Sequence, residues 1–254
     1  MEISGIMNGD TDMKKPIMFL CPMDCELSAI LSALENPKKE NIGCYEYYSG
    51  TLCGTPAVAV KTQIGSVNCA AALNIGIMKF SPSYVILQGT AGAHSKDLHR
   101  GDIVIAKSIV PIAAYVSSER KKGEGISPDN WFFCGALELK KNELSGRSEL
   151  LCDSGLIDTA AALPYTAGKK VIGVIGSGDV WNKELDMIEY LNRRFGTLCE
   201  EMEGFAAAQI CAQYNIPFAD IRVISNNEWY PDETFLSESA ALCQQFCIEL
   251  AKKL

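Results

Sequence analysis

Three carboxylates stand beside an alanine-rich run in the stretch LCEEMEGFAAAQICAQY, residues Leu198 to Tyr214. Glu200, Glu201 and Glu203 crowd together there, with Met202 between them, where a small-residue helix is about to begin. Buried like charges repel, and an ionised carboxylate costs on the order of 1–5 kcal/mol to desolvate unless something binds it. The run is therefore either a solvated helix start or a place where a carboxylate holds a polar ligand. A second pair of acids, Asp24 and Glu26, follows the apolar run IMFLCP. A partly desolvated carboxylate is a competent general base for water. Residues two apart do not share a helix face, so Asp24 and Glu26 compete for that role. Trp181 in GSGDVWN offers a flat surface on which an aromatic base could stack, worth about 1–3 kcal/mol. Gly92 in QGTAG permits close backbone approach to a ligand.

Short apolar runs alternate with helical patterns and put these residues at strand ends. Strands are predicted at 17–22, 55–65, 84–92, 102–110, 171–179 and 217–226. Helices are predicted from Asp24 through DCELSAILSALE, over 66–80 with Ser66 as N-cap, over the alanine-rich run, and from Asp232 to the C-terminus. Such alternation indicates an α/β protein with a largely parallel or mixed sheet and helices on both faces. In these sheets ligands bind outside the carboxyl ends of strands. Here CPMDCE, QGTAGAH, GSGDVWN and ISNNEW occupy such ends. Residues 1–13 read as a loose polar tail and 14–254 as one domain, with 117–131 as a surface excursion.

Bulk properties narrow the function further. The chain has 254 residues, 48% of them hydrophobic, a net charge of -8 and a pI of about 4.9. That balance argues against a nucleic-acid polymer or an anionic membrane as partner. The 11 cysteines form no CxxC pair and only two histidines are present, His94 and His99. Reduced, mostly buried thiols in a cytoplasmic protein are expected, with no metal site. The run PIMFLCPM is too short for a membrane span of about 20 residues. Neither GxGxxG nor GxxxxGK[ST] occurs, so no dinucleotide or phosphate-loop cofactor is expected.

In their order along the chain, CPMDCELSAI, IGSVNCAAAL, QGTAGAHSKDLHRGDIVIA, IGSGDVW, EEMEGFAAAQICAQYNIPF and RVISN resemble the nucleoside phosphorylase/nucleosidase superfamily. The branch resembled is that of the bacterial 5'-methylthioadenosine/S-adenosylhomocysteine nucleosidases, from about Pro16 to the C-terminus. The resemblance implies a single domain built on a central twisted mixed β-sheet flanked by helices, assembled as a homodimer. It implies a purine nucleoside substrate and hydrolysis of the N-ribosyl bond. By the same likeness Glu203 holds the ribose hydroxyls, Met202 packs on the sugar, and Glu201 supports them. Glu26 matches the water-activating acid. Trp181 stacks on the purine and backbone groups of Asn182 meet the base edge. Thr90, Gly92 and Ser225 line the substrate pocket.

The resemblance breaks at Asn226, where the nucleosidase branch has an aspartate that serves N7 of the leaving adenine. An amide donates one hydrogen bond and accepts another but gives up no proton. Three explanations stay open. The substrate is a 6-oxopurine nucleoside such as inosine or futalosine; Glu228 or a water replaces the acid; or the protein binds a nucleoside without turnover. Phosphorolysis is a further alternative, with Arg100 and Arg222 as the cations a phosphate would need. No arginine or lysine occurs within CPMDCE, and Glu26 there would repel a phosphate dianion, which favours water.

Overall fold

A computed structural model describes residues 14–133, 138–140, 143–144 and 149–254. The predicted tail, residues 1–13, lies outside them. The elements run β1 (Ile17–Cys21), α1 (Asp24–Ala33), β2 (Glu35–Ile42), β3 (Tyr45–Leu52), β4 (Thr55–Lys61), α2 (Ser66–Phe80), β5 (Tyr84–Ala93) and β6 (Ile103–Pro111). Four short strands follow: β7 (Tyr115–Val116), β8 (Phe132–Phe133), β9 (Glu138–Lys140) and β10 (Glu143–Leu144). The chain continues as β11 (Leu150–Leu151), α3 (Ser154–Ala162), β12 (Lys170–Ser177), α4 (Leu185–Phe195), β13 (Thr197–Glu201), α5 (Gly204–Tyr214), β14 (Phe218–Asn226) and α6 (Ala240–Ala251).

The main sheet is mixed, as expected. β1 pairs in parallel with β4 and β5, while β2, β3 and β4 form an antiparallel meander at one edge. Strand β1 is buried on both faces, as a central parallel strand must be. Its side chains alternate: Met18 and Leu20 pack with Leu73 of α2 and Ala207 of α5, and Phe19 and Cys21 with Ile30 of α1 and Phe246 of α6. Helices therefore cover both faces.

The other half of the sheet closes on itself. β5 pairs with β14, β14 with β6, β6 with β12, β12 with β13, and β13 returns to β5. One edge of β5 is shared between two partners: β1 pairs with Tyr84 to Leu87, and β13 pairs with Gly92 and Ala93. Among the described residues the edge of β5 between them has no strand neighbour, and this opening in the ladder is where the site forms.

Several local expectations are corrected. Helix α1 ends at Ala33, and Glu35 already belongs to the edge strand β2. Ser66 is the first residue of α2, not its cap. Gly65 (φ 99°) holds the cap position, and the carboxylate of Asp179 accepts from Ser66 N–H and Oγ–H at 2.7 Å each. The last helix starts at Ala240, eight positions later than Asp232, after a short 3-10 turn over Ser237–Ser239. The acidic run is not a solvated helix start: Glu200 and Glu201 are buried at the end of strand β13, and Glu203, also buried, holds the N-cap position of α5. Among the described residues no helix is long and apolar enough to cross a membrane.

Candidate active site

The two competing acids after β1 separate cleanly. Asp24 is exposed and pairs with Lys61 at 2.5 Å. Glu26 is 1% exposed and lines a cavity of about 210 Å³. As the third residue of α1 it reaches back to accept the Met23 N–H at 2.9 Å. Its other oxygen accepts Thr90 N–H at 2.7 Å and Thr90 Oγ–H at 2.9 Å. Thr90 N–H is the donor exposed where β1 has ended and β13 has not begun, so Glu26 fills the gap in the ladder. Gly89 is required beside it: a Cβ there would lie 2.5 Å from the Glu26 carboxylate and 3.1 Å from Arg222 Nη1. Burial raises the Glu26 pKa, and the nearby Arg222 charge opposes that rise.

Arg222, fully buried on β14, organises the acids. It pairs with Asp220 and with Glu201 at 2.6 Å each and with Glu203 at 3.4 Å. Three carboxylates around one guanidinium leave an excess of negative charge. Burial, reinforced by the Glu201 charge, pushes the Glu203 carboxyl up to about 8 and Asp220 up to about 7. Glu201 also accepts the N–H groups of Glu203 and Gly204, fixing the first turn of α5. This leaves Glu203 free to turn to the cavity, where its other oxygen accepts Gly65 N–H at 2.8 Å.

Asn226 lies across the cavity in a β-bulge, with Ser225 as the extra residue between the paired positions Ile224 and Asn226. Ser225 Oγ is 2.9 Å from Asn226 Oδ1, and Asn226 Nδ2 donates to Glu228 at 3.2 Å. These two partners set which way the amide faces. Trp181 is half exposed at the cavity wall, edge-on to Phe235 with ring centroids 5.8 Å apart.

Glu26, Thr90, Gly92, Trp181, Glu201, Met202, Glu203, Ser225 and Asn226 thus line a single cavity. Asn182 does not. Its backbone N–H, expected at the base edge, is donated instead to Glu200 Oε1 at 2.7 Å. Glu200 lines the cavity and was missed, because a run of acids read as a helix start hides the strand alternation that separates Glu200 from Glu201. Neither proposed phosphate cation is available. Arg222 is consumed by carboxylates, and the Arg100 guanidinium is turned to the backbone carbonyls of Asp232 and Thr234. Among the described residues no cluster of ligating side chains could hold a metal ion.

The sequence profile of the phosphorylase superfamily matches residues 16–254. The chain belongs to that superfamily. Among curated members, the 5'-methylthioadenosine/S-adenosylhomocysteine nucleosidase of Halalkalibacterium halodurans is 32% identical over 80% of this chain and 82% of its own length. The nucleosidase of that name from Neisseria meningitidis, solved in complex with methylthio-immucillin-A, superposes with a TM-score of 0.77 at 27% identity, over 94% of this chain and 100% of that one. Futalosine hydrolase of Helicobacter pylori shares the fold at a TM-score of 0.78 and 22% identity, covering 96% and 100% of the two chains. The superfamily fold is the one expected, a single α/β domain on a central mixed sheet.

Proposed function

We propose that the protein is a purine nucleosidase that hydrolyses the N-ribosyl bond with water activated by Glu26. The observation that carries this reading is the placement of Glu26 and Glu203, both buried and both lining one cavity, beside the same guanidinium. C–N cleavage develops positive charge on the sugar and negative charge on the departing base. Glu203 accepts hydrogen bonds from the ribose hydroxyls and faces the developing cation. Glu26 takes a proton from the water whose oxygen bonds to the anomeric carbon. The C–N electron pair leaves with the base, which Trp181 stacks against. The residues lining the cavity include four glutamates, Glu26, Glu200, Glu201 and Glu203, and one arginine already paired. Such a field opposes a phosphate dianion and supports water as the nucleophile.

The substrate class follows from Asn226. With its Nδ2 tied to Glu228 by one N–H, the amide retains a second N–H for the base. That donor suits a purine offering acceptors at both N7 and O6, whereas the 6-amino group of adenine opposes it. We assign the preference to 6-oxopurine nucleosides. In Asn226→Asp the new carboxyl would stand beside Glu228, and two adjacent carboxylates retain a shared proton. The variant therefore gains an acid for N7 and shifts toward adenine nucleosides, by about 5- to 150-fold in the ratio of kcat/KM. Inosine and methylthioadenosine turned over by both proteins measure this. A wild type that prefers methylthioadenosine would reject the 6-oxopurine assignment and make Glu228 the acid.

Glu203→Gln keeps the shape and loses charge-assisted acceptance, so kcat/KM should fall by about 10- to 150-fold, corresponding to roughly 1.5–3 kcal/mol. Glu26 and Glu203 both work ionised while burial raises both. In the wild type, kcat/KM should climb with pH through the region near 8 that Glu203 sets. The Gln variant should lack that part of the climb. A variant with the wild-type rate and profile would remove Glu203 from the diol.

A further inference from the structure

Glu200 is a carboxylate that the fold has gone to some length to bury at the cavity wall. It is 5% exposed. Its Oε1 accepts Asn182 N–H at 2.7 Å, and its Oε2 accepts Asn182 Nδ2 at 2.5 Å. His94, itself buried, meets the same Oε2 through Nε2 at 3.1 Å, and its Nδ1 lies 2.8 Å from Thr197 Oγ. A carboxylate offers about four acceptor positions; among the described residues three are used, and Glu200 lines the cavity.

The register places Glu200 relative to Asn226. Glu200 on β13 stands opposite Gly92 on β5, and Asn226 on β14 stands opposite the same Gly92 from the other side. The two are therefore two strand spacings apart, roughly 10 Å between Cα atoms. The glycine between them leaves a slot: a Cβ on Gly92 would already lie 3.2 Å from Asn226 Nδ2. A flat base with its N7 side at Asn226 turns its six-membered ring toward Glu200.

We propose that Glu200 reads the base, accepting a hydrogen bond from N1–H of a 6-oxopurine and excluding adenine, whose N1 is an acceptor. This deepens the nucleosidase reading and rests on it. The Asn182 N–H, a donor that could have served an acceptor at N1, is spent on Glu200. The wall therefore presents an acceptor where it could have presented a donor. Asn226 and Glu200 discriminate in the same direction from opposite ends of the slot, by independent contacts. His94 is a positioning residue, holding the carboxylate against Asn182.

The test compares inosine, 1-methylinosine and methylthioadenosine on the wild type and on Glu200→Gln. Methylation removes the N1–H donor, and wild-type kcat/KM should drop at least tenfold. Gln keeps one oxygen for the Asn182 N–H; with the Asn182 side-chain amide turned to accept from the new NH₂, that NH₂ has a second N–H for adenine N1. In that variant the inosine-to-methylthioadenosine ratio should fall at least tenfold, with methylthioadenosine turnover showing that the site is intact. A wild type that prefers inosine but tolerates 1-methylation, with an unchanged ratio in the variant, would overturn the role of Glu200 and leave the nucleosidase reading standing. A wild type that prefers methylthioadenosine would overturn both the role and the 6-oxopurine assignment. If the Gln variant is insoluble, the comparison of inosine with 1-methylinosine on the wild type decides.

Discussion

Glu26→Gln should lower kcat by about 10²- to 10⁴-fold, the usual contribution of a positioned general base, while nucleoside affinity changes little. The amide oxygen can still accept from Thr90, so the gap in the β5 ladder stays filled, while the NH₂ gives up only the bond from Met23 N–H. What is lost is a group that can take the proton of water. Single-turnover rates and inhibitor binding separate the two effects. Equal losses in binding and rate would make Glu26 a structural strut. Asp24 would then not inherit the role, since it faces solvent and Lys61.

Arg222→Met should be the most destabilising single change in the site. It leaves Asp220, Glu201 and Glu203 buried without their counter-charge, and breaking a buried ion network from one side costs about 3–5 kcal/mol. At this chain size that corresponds to a fall of roughly 6–20 °C in melting temperature. The loss should depend on pH in a defined sense. Even with Arg222 present, burial holds the Glu203 and Asp220 pKa values at about 8 and about 7, above their unfolded values. The native state therefore binds more protons than the unfolded chain, and this contribution is present at low pH and lost as pH rises through those values. Without the cation the pKa values rise further, so the variant should be close to wild type near pH 5 and fall furthest behind above pH 8. Thermal melts across that range measure it. An equal deficit at both ends would show that packing, not charge, is what Arg222 supplies.

The site was legible in sequence where its chemistry coincides with strand-end punctuation. CPMDCE, QGTAG, GSGDVW and ISNN each combine a strand terminus with glycine or polar residues, and the structure gathers all four around one cavity. Choosing Glu26 over Asp24 needed the fold, because only the missing ladder partner of Thr90 N–H explains which acid turns inward. Strand β13 escaped notice because TLCEE ends in two acids whose burial depends on partners distant in sequence, Arg222 for Glu201 and His94 for Glu200. Strand β2 escaped for the opposite reason. ENPKKENI is almost wholly exposed at the sheet edge, where lysines and a proline discourage further pairing and no apolar alternation develops. Arg222 could be seen as a cation but not as a spent one, since its three partners come from β13, the turn after it, and β14.

The most direct measurement of the central claim is the fate of oxygen. Incubated with inosine in ¹⁸O-water, the enzyme should release hypoxanthine and ribose carrying one ¹⁸O at the anomeric carbon, at a rate unchanged by added phosphate. Base release that requires phosphate and yields ribose 1-phosphate would contradict it.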